Sequence, residues 1–329
     1  MRPAEQLAAA GGRRGRPAPD ADERTGIGDR VRPGAKRVLY FGLPLGALCL
    51  IADGHVLAGA CISRPDQPGM RRLRARMAGA LLLEKPDLSD PAVVARLRAL
   101  APDLIVSWFW TRQIPEEVIA LAPFAFNVHP SLLPRHRGAD PYFWAIASGD
   151  RETGVTAHLL TARYDEGPIL AQRSVPIPED ANAWRLARIL DRPSLALMRE
   201  IAARAASGER LETVPQDEAR ATLAPEPSAE DCELRWSWPV DVVLARVRAA
   251  APWPGAFTEY AGRVIVVTRA ARAGAPPELA PGQAARDAHG VIVRAADGAV
   301  RLLEARFEEE DELFRGPSVA RLFPGLPAI

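Results

Sequence analysis

Asn127 and His129 stand two residues apart in Phe126-Asn127-Val128-His129-Pro130-Ser131-Leu132-Leu133-Pro134, and Asp165 follows in Tyr164-Asp165-Glu166-Gly167. On a strand, residues two apart point to the same side. An amide and an imidazole therefore share one face, and a carboxylate can reach them from a later loop. Such a set can move a carbonyl group onto an amine. The amide stabilises a developing oxyanion, the imidazole handles the proton, and the carboxylate sets the orientation and basicity of the ring.

Strands must position these groups. Arg37-Val38-Leu39-Tyr40-Phe41-Gly42, Val56 to Ile62, Leu104-Ile105-Val106-Ser107-Trp108 and Phe124 to His129 read as buried strands. Pro44 to Ala52, Pro91 to Leu100 and Ile114 to Leu121 read as helices between them. That alternation predicts an α/β fold with a mostly parallel, Rossmann-like sheet covered on both faces. Ligands of such sheets bind outside the carboxyl ends of the strands, where His129 and the Trp108-Phe109-Trp110 segment fall. Tyr142 to Ser148 reads as a helix and Gly154 to Leu160 as a strand. Asn182 to Ser207 reads as a long helix interrupted near Pro193. Further on, Val240 to Ala250 is helical, and short strand candidates follow at 257–260, 264–268, 290–294 and 300–304. They predict a small C-terminal β-barrel, OB-like in kind.

The expected organisation is a disordered extension over 1–34, a catalytic domain over 35–211, a linker over 212–228 and a barrel domain over 229–329. The extension is rich in Gly, Pro, Ala and charge without a hydrophobic period. Its acidic residues Asp20, Asp22 and Glu23 speak against a transit peptide, and no secretory signal core is seen.

With 329 residues, 48% apolar and 25% charged, the chain has the balance of a soluble globular protein. A net charge of +1 gives no global field for nucleic acid, so no DNA partner is expected and any RNA contact needs a local patch. Met70-Arg71-Arg72-Leu73-Arg74-Ala75-Arg76 is the strongest basic run, readable as a solvated helix face or as a phosphate-contacting patch. Cys49, Cys61 and Cys232 have neither disulfide nor zinc spacing, which suits reduced thiols in a cytoplasmic protein without a metal. No apolar run nears the ~18 residues of a membrane span. His158 reads as a buried histidine hydrogen-bonded behind the site, and His136, between Arg135 and Arg137, as a solvated loop residue.

Four motifs in order carry a family resemblance. They are Asn127 to Pro134, Arg137-Gly138, Thr153-Gly154-Val155-Thr156-Ala157-His158 and Asp165-Glu166-Gly167. Together they resemble the formyltransferases that use 10-formyltetrahydrofolate, with order and spacing most like the group acting on methionyl-tRNA and its amine-formylating relatives. Ala251-Pro252-Trp253-Pro254-Gly255-Ala256 is similar to a signature of that group's C-terminal domain. The resemblance implies a folate donor, an amine acceptor, Asn127, His129 and Asp165 at the reacting centre, and Arg137-Gly138 holding the loop beside the acceptor. It also implies folate contacts from Trp108, Phe109, Trp110, Arg112, Ser131, Leu132, Leu133, Pro134, Tyr164, Glu166 and Gly167. The Trp108–Arg112 run is equally readable as a core aromatic cluster capping the sheet.

The acceptor reading stays divided. The C-terminal domain favours charged initiator tRNA. Against it, the segment after Ser63 to Gly69 is shorter than the basic insertion with which the tRNA-acting group reaches the acceptor stem, and Gly138-Ala139-Asp140-Pro141-Tyr142-Phe143-Trp144 resembles relatives that formylate small amines such as amino sugars. Hydrolysis of the donor to formate is a third reading.

Overall fold

The computed structural model describes residues 36–276 and 278–328; the 1–34 extension expected to be disordered lies outside the described residues. The first half builds one seven-stranded sheet. Its elements are β1 (Arg37–Gly42), α1 (Pro44–Ala52), β2 (Val56–Ile62), α2 (Met70–Arg76), β3 (Leu81–Glu84), α3 (Pro91–Arg98), β4 (Leu104–Trp108), α4 (Glu116–Ile119), β5 (Ala125–His129), α5 (Pro141–Ala147), β6 (Glu152–Leu159), β7 (Ile169–Pro176) and α6 (Ala183–Ala206). The strand order is β3-β2-β1-β4-β5-β6-β7. β3, β2, β1, β4 and β5 run parallel, β6 pairs antiparallel with β5, and β7 pairs antiparallel with β6. The order reverses between β1 and β4, and ligands of such sheets bind outside the carboxyl ends of the strands beside such a reversal.

The period of two in β1 sends its residues to two cores. Val38 and Tyr40 face one, with Phe126 and the α6 residues Leu186, Leu190 and Leu197. Leu39 and Phe41 face the other, with Val94, Leu97 and Ile105. That two-sided burial is why these strands are nearly uniformly apolar.

Helix α6 runs through Pro193 without the expected break. A proline inside a helix costs roughly 3 kcal/mol in lost hydrogen bonding and ring clash. Here the helix buries Leu186, Leu190, Leu197, Met198 and Ile201 along one face, and burying such side chains contributes roughly 1.5–3 kcal/mol each. Packing outweighs the local penalty.

The second half contains α7 (Ala229–Cys232), α8 (Val240–Ala250) and β8 (Ala256–Tyr260), β9 (Arg263–Ala273), β10 (Ala284–Asp287), β11 (Gly290–Arg294), β12 (Ala299–Phe307) and β13 (Phe314–Arg315). The strands form an antiparallel sheet in the order β10-β11-β12-β9-β8, with β13 also on β12. The path is open: among the described residues β8 and β10 are its ends, whereas a closed barrel would join them. Neighbouring chain covers both edges instead. Leu234 N–H donates to the Phe257 carbonyl beside β8, and Arg286 N–H of β10 donates to the Pro327 carbonyl. Helix α8 packs on β9 and on α5, so the sheet domain rests against the helix that follows the site loop.

The stretch over 212–228 is more than a tether. Val214 bridges to Ile169 and Leu223 to Arg137, and the chain makes one 3₁₀ turn at Glu218–Arg220 between them. No described helix is long and apolar enough to cross a membrane. The three cysteines are free.

Candidate active site

Asn127 and His129 lie on β5 at the carboxyl edge of the sheet, and β6 pairs antiparallel beside them. The register sets His158 opposite Asn127 and Thr156 opposite His129. Cross-strand partners share a face, so His158 joins the two polar groups of β5. Asp165 arrives from the β6–β7 connection, its backbone at φ +55°, a left-handed conformation that costs a non-glycine residue on the order of 1 kcal/mol. Gly167 passes where a Cβ would lie 1.8 Å from the Leu159 carbonyl oxygen, so only glycine closes this loop.

The three expected residues meet. His129 Nδ1 stands 3.3 Å from Asp165 Oδ2, with both side chains almost fully buried. Asn127 Nδ2 is 3.2 Å from His158 Nε2 and 3.5 Å from Asp165 Oδ1. Gly138 N–H donates to Asp165 Oδ2 at 3.0 Å.

The tautomers follow from the partners. His129 Nε2 lies 2.8 Å from the His136 carbonyl oxygen. A carbonyl only accepts, so Nε2 carries the proton and Nδ1 is the basic nitrogen facing the carboxylate. By the same reasoning His158 Nδ1 donates to the Leu159 carbonyl at 2.9 Å.

Burial lowers the His129 pKa below its ordinary value; the Asp165 charge and the His136 carbonyl pull it up without overcoming that. Burial would raise the Asp165 pKa, but the His129 and His158 rings and the Gly138 N–H outweigh it and hold it at about 2. At neutral pH the pair is a carboxylate beside a neutral imidazole. Such a ring can take a proton, and the carboxylate then stabilises the imidazolium.

The cleft over this pair has an open volume of about 790 Å³, solvent at its mouth included. Asn127, His129, Asp165, Phe109, Trp110, Arg112 and Tyr164 line it, together with Gly138, Tyr142 and His158. Gln113 Nε2 donates to the Ala162 carbonyl at 2.6 Å and ties the 109–114 loop to the 160–164 loop. Arg112 stacks over the Trp110 ring at 4.7 Å.

Other expected contact residues stand elsewhere. Trp108 is 2% exposed in the core, its indole N–H donating to Ser194 Oγ at 3.0 Å. Ser131 Oγ donates to the Arg135 carbonyl behind the cleft. Leu132, Leu133 and Pro134 border a different hollow, with Arg135, His136 and Asp150. Glu166 pairs with Arg163 at 2.8 Å, and neither Glu166 nor Gly167 lines the cleft.

His136 departs from its expected solvated state. It is 3% exposed, its Nε2 is 2.7 Å from Asp150 Oδ2, and its N–H donates to Thr222 Oγ1. The 212–228 segment covers it, an arrangement no local pattern reveals. That segment also supplies Gln216. Its Nε2 donates to the Asp165 and Gly167 carbonyls at 2.7 and 2.8 Å. Its Oε1 accepts from Arg137 Nε and Nη2. Among the described residues, no group of three or more His, Cys, Asp or Glu is placed to hold a metal ion.

A family model described as formyl transferase matches residues 49–200, and one described as formyl transferase, C-terminal domain, matches residues 227–314. A methionyl-tRNA formyltransferase of Chloroflexus aurantiacus is 36% identical over 286 residues, 82% of this chain and 92% of that protein. One from Anaeromyxobacter dehalogenans is 37% identical over 290 residues, 83% and 92% of the two chains. The chain belongs to the formyltransferase family.

Solved structures share the fold. HypX from Aquifex aeolicus in complex with tetrahydrofolic acid aligns with a TM-score of 0.59 at 22% identity, over 89% of this chain and 49% of that one. The chain thus spans about half the length of HypX. A sugar N-formyltransferase from a Shewanella species aligns at 0.57 and 19% identity, over 70% and 96% of the chains.

Trp108, which ends β4, and Trp110 just beyond it make separable predictions for this formyltransferase. Trp110 lines the cleft and Trp108 does not. Folate binding should quench tryptophan fluorescence, and Trp110→Phe should remove most of that quench while Trp108→Phe leaves it. A titration in which Trp108→Phe alone abolishes the quench would place the pterin ring elsewhere.

Proposed function

We propose that the enzyme transfers the formyl group of 10-formyltetrahydrofolate to the amino group of methionyl-tRNA. The observation that carries this reading is similarity along both halves of the chain to methionyl-tRNA formyltransferases, including the C-terminal family match over residues 227–314. A cytoplasmic setting goes with it.

In the proposed step the neutral amine attacks the formyl carbon. An Asn127 N–H stabilises the oxyanion of the tetrahedral intermediate; the one near Asp165, at 3.5 Å, is weakly held and can turn to it. His129 Nδ1 takes the proton from the attacking nitrogen, and Asp165 stabilises the imidazolium. The carbon–nitrogen bond to folate then breaks, and the same proton passes to the departing folate nitrogen. Transfer is direct, without a covalent enzyme intermediate.

Contacts for a nucleic acid would be local. On α2, Met70 and Leu73 are buried while Arg71, Arg72, Arg74 and Arg76 face solvent. Arg74 pairs with Glu84 at 2.6 Å; the other three form no ion pair among the described residues. Trp184 and Trp253 are 64% and 78% exposed, and exposed rings are platforms for base stacking.

One observation favours a small amine such as an amino sugar. Tyr142 lines the cleft with a buried hydroxyl that has no hydrogen-bond partner among the described residues. Burial pushes its pKa well up, so it stays a neutral donor suited to an oxygen near the acceptor amine.

The test supplies 10-formyltetrahydrofolate with charged initiator tRNA, with a panel of amino sugars, and with no amine. Formylated methionyl-tRNA is the expected product. Its kcat/KM should fall on the order of tenfold between low and moderate salt, as released counterions dictate. Neutralising Arg71, Arg72 and Arg76 should flatten that slope without changing folate binding. Turnover on an amino sugar with a flat salt response would replace the tRNA reading, and formate released equally fast without amine would mean hydrolysis.

A further inference from the structure

Residues 212–224 lie outside the cleft, yet they hold the loop that carries Asp165 and the 136–138 loop whose His136 carbonyl meets His129. On one side Gln216 sits half-buried in an otherwise exposed run. Its two N–H bonds go to the carbonyls of Asp165 and Gly167, and its oxygen takes two bonds from Arg137. Carbonyls only accept and a guanidinium only donates, so the amide can face one way only. On the other side Thr222 accepts the His136 N–H on its hydroxyl and the Arg137 N–H on its carbonyl. The His136 carbonyl is the group that holds His129 Nε2. Gly138, whose N–H reaches Asp165, passes so close to Ala224 that a Cβ would lie 2.7 Å from the Ala224 carbonyl oxygen.

We propose that Gln216 is a positioning residue for catalysis, fixing the Asp165 backbone so that its carboxylate meets His129 Nδ1, while Thr222 steadies the carbonyl on the far side of the same ring. Asp165 needs such a hold. Its left-handed backbone is unfavourable in isolation and persists only where its surroundings enforce it. Among the described residues no group lining the cleft bonds its carbonyl; Gln216 does. The inference rests on reading His129 and Asp165 as the proton-transfer pair.

Gln216→Glu tests it. The carboxylate still accepts from Arg137 but offers no proton to the two carbonyls. A displaced catalytic group lowers turnover on the order of 10–10²-fold. The expected result is that loss in kcat, with KM for donor and amine within about twofold of the parent and folate quenching intact. Gln216→Met, close in length and uncharged, should lose kcat in the same way. The double variant Gln216→Glu with Asp165→Asn should lose no more than Asp165→Asn alone, because both act through one group. Parental kcat in a folded Gln216→Glu or Gln216→Met enzyme overturns the inference, and so does a raised KM at unchanged kcat. If Asp165→Asn itself keeps full rate, the pair is wrongly read; if Asp165→Asn is dead and both Gln216 variants run at the parental rate, only the positioning role fails.

Discussion

Replacing His129 with alanine lowers kcat on the order of 10²–10⁴-fold and leaves folate bound, as expected for the loss of a group that moves a proton at the reacting centre. Asp165→Asn falls in the same range, because the buried imidazolium then lacks the carboxylate 3.3 Å away. The pH dependence carries the same signature. Burial keeps the His129 pKa below its ordinary value, so the acid-side decline of kcat/KM should be centred below that value. Asp165, at about 2, remains charged throughout. Stability follows with definite signs. The unfolded histidine binds a proton before the folded one does, so acid destabilises the fold once pH falls below the ordinary histidine value. The depressed Asp165 pKa contributes stability above the ordinary carboxylate value, lost as pH falls towards about 2. Stopped assays with purified variants, with fluorescence titration of folate as the check on folding, measure the main effect. A folded His129→Ala enzyme at the parental rate would remove His129 from the reaction.

Some of this was legible in the sequence. The period of two puts Asn127 and His129 on one face whatever the rest of the chain does, and alternating apolar runs predict the parallel sheet that delivers them. Asp165 came from its motif. What escaped depends on pairing between distant segments. His158 reaches Asn127 only through the β5–β6 register, which no local pattern fixes. Gln216 lies in a polar stretch without periodicity, and its role exists only once that stretch crosses Asp165 and Arg137. The same crossing buries His136, whose neighbours Arg135 and Arg137 suggest a wet loop. Pro193 misleads in the other direction, since a local rule yields to the buried face of α6. The open C-terminal sheet also depends on non-local partners: Leu234 and Pro327 occupy edges that strand counting alone would pair with each other.

Asn127→Asp should reduce kcat by on the order of 10²–10³-fold, the loss typical of a deleted oxyanion donor. Asparagine and aspartate have nearly the same shape, so the variant changes charge and donor capacity and little else. The new carboxylate would sit where the amide nitrogen now lies 3.5 Å from Asp165 Oδ1. Two carboxylates that close in a largely buried site cannot both ionise freely, and one is driven to take a proton. If the introduced carboxyl ionises, it repels the oxyanion; if it is protonated, it offers one O–H in place of two N–H groups and competes with His129 for Asp165. Both routes lose rate, and the balance between them makes the residual activity rise as pH is lowered, opposite to the parent enzyme. Asn127→Ser separates the two causes: it removes the amide without adding charge, so it should lose rate without that inverted profile. Parental turnover in a folded Asn127→Asp enzyme would show that the oxyanion is stabilised by other donors.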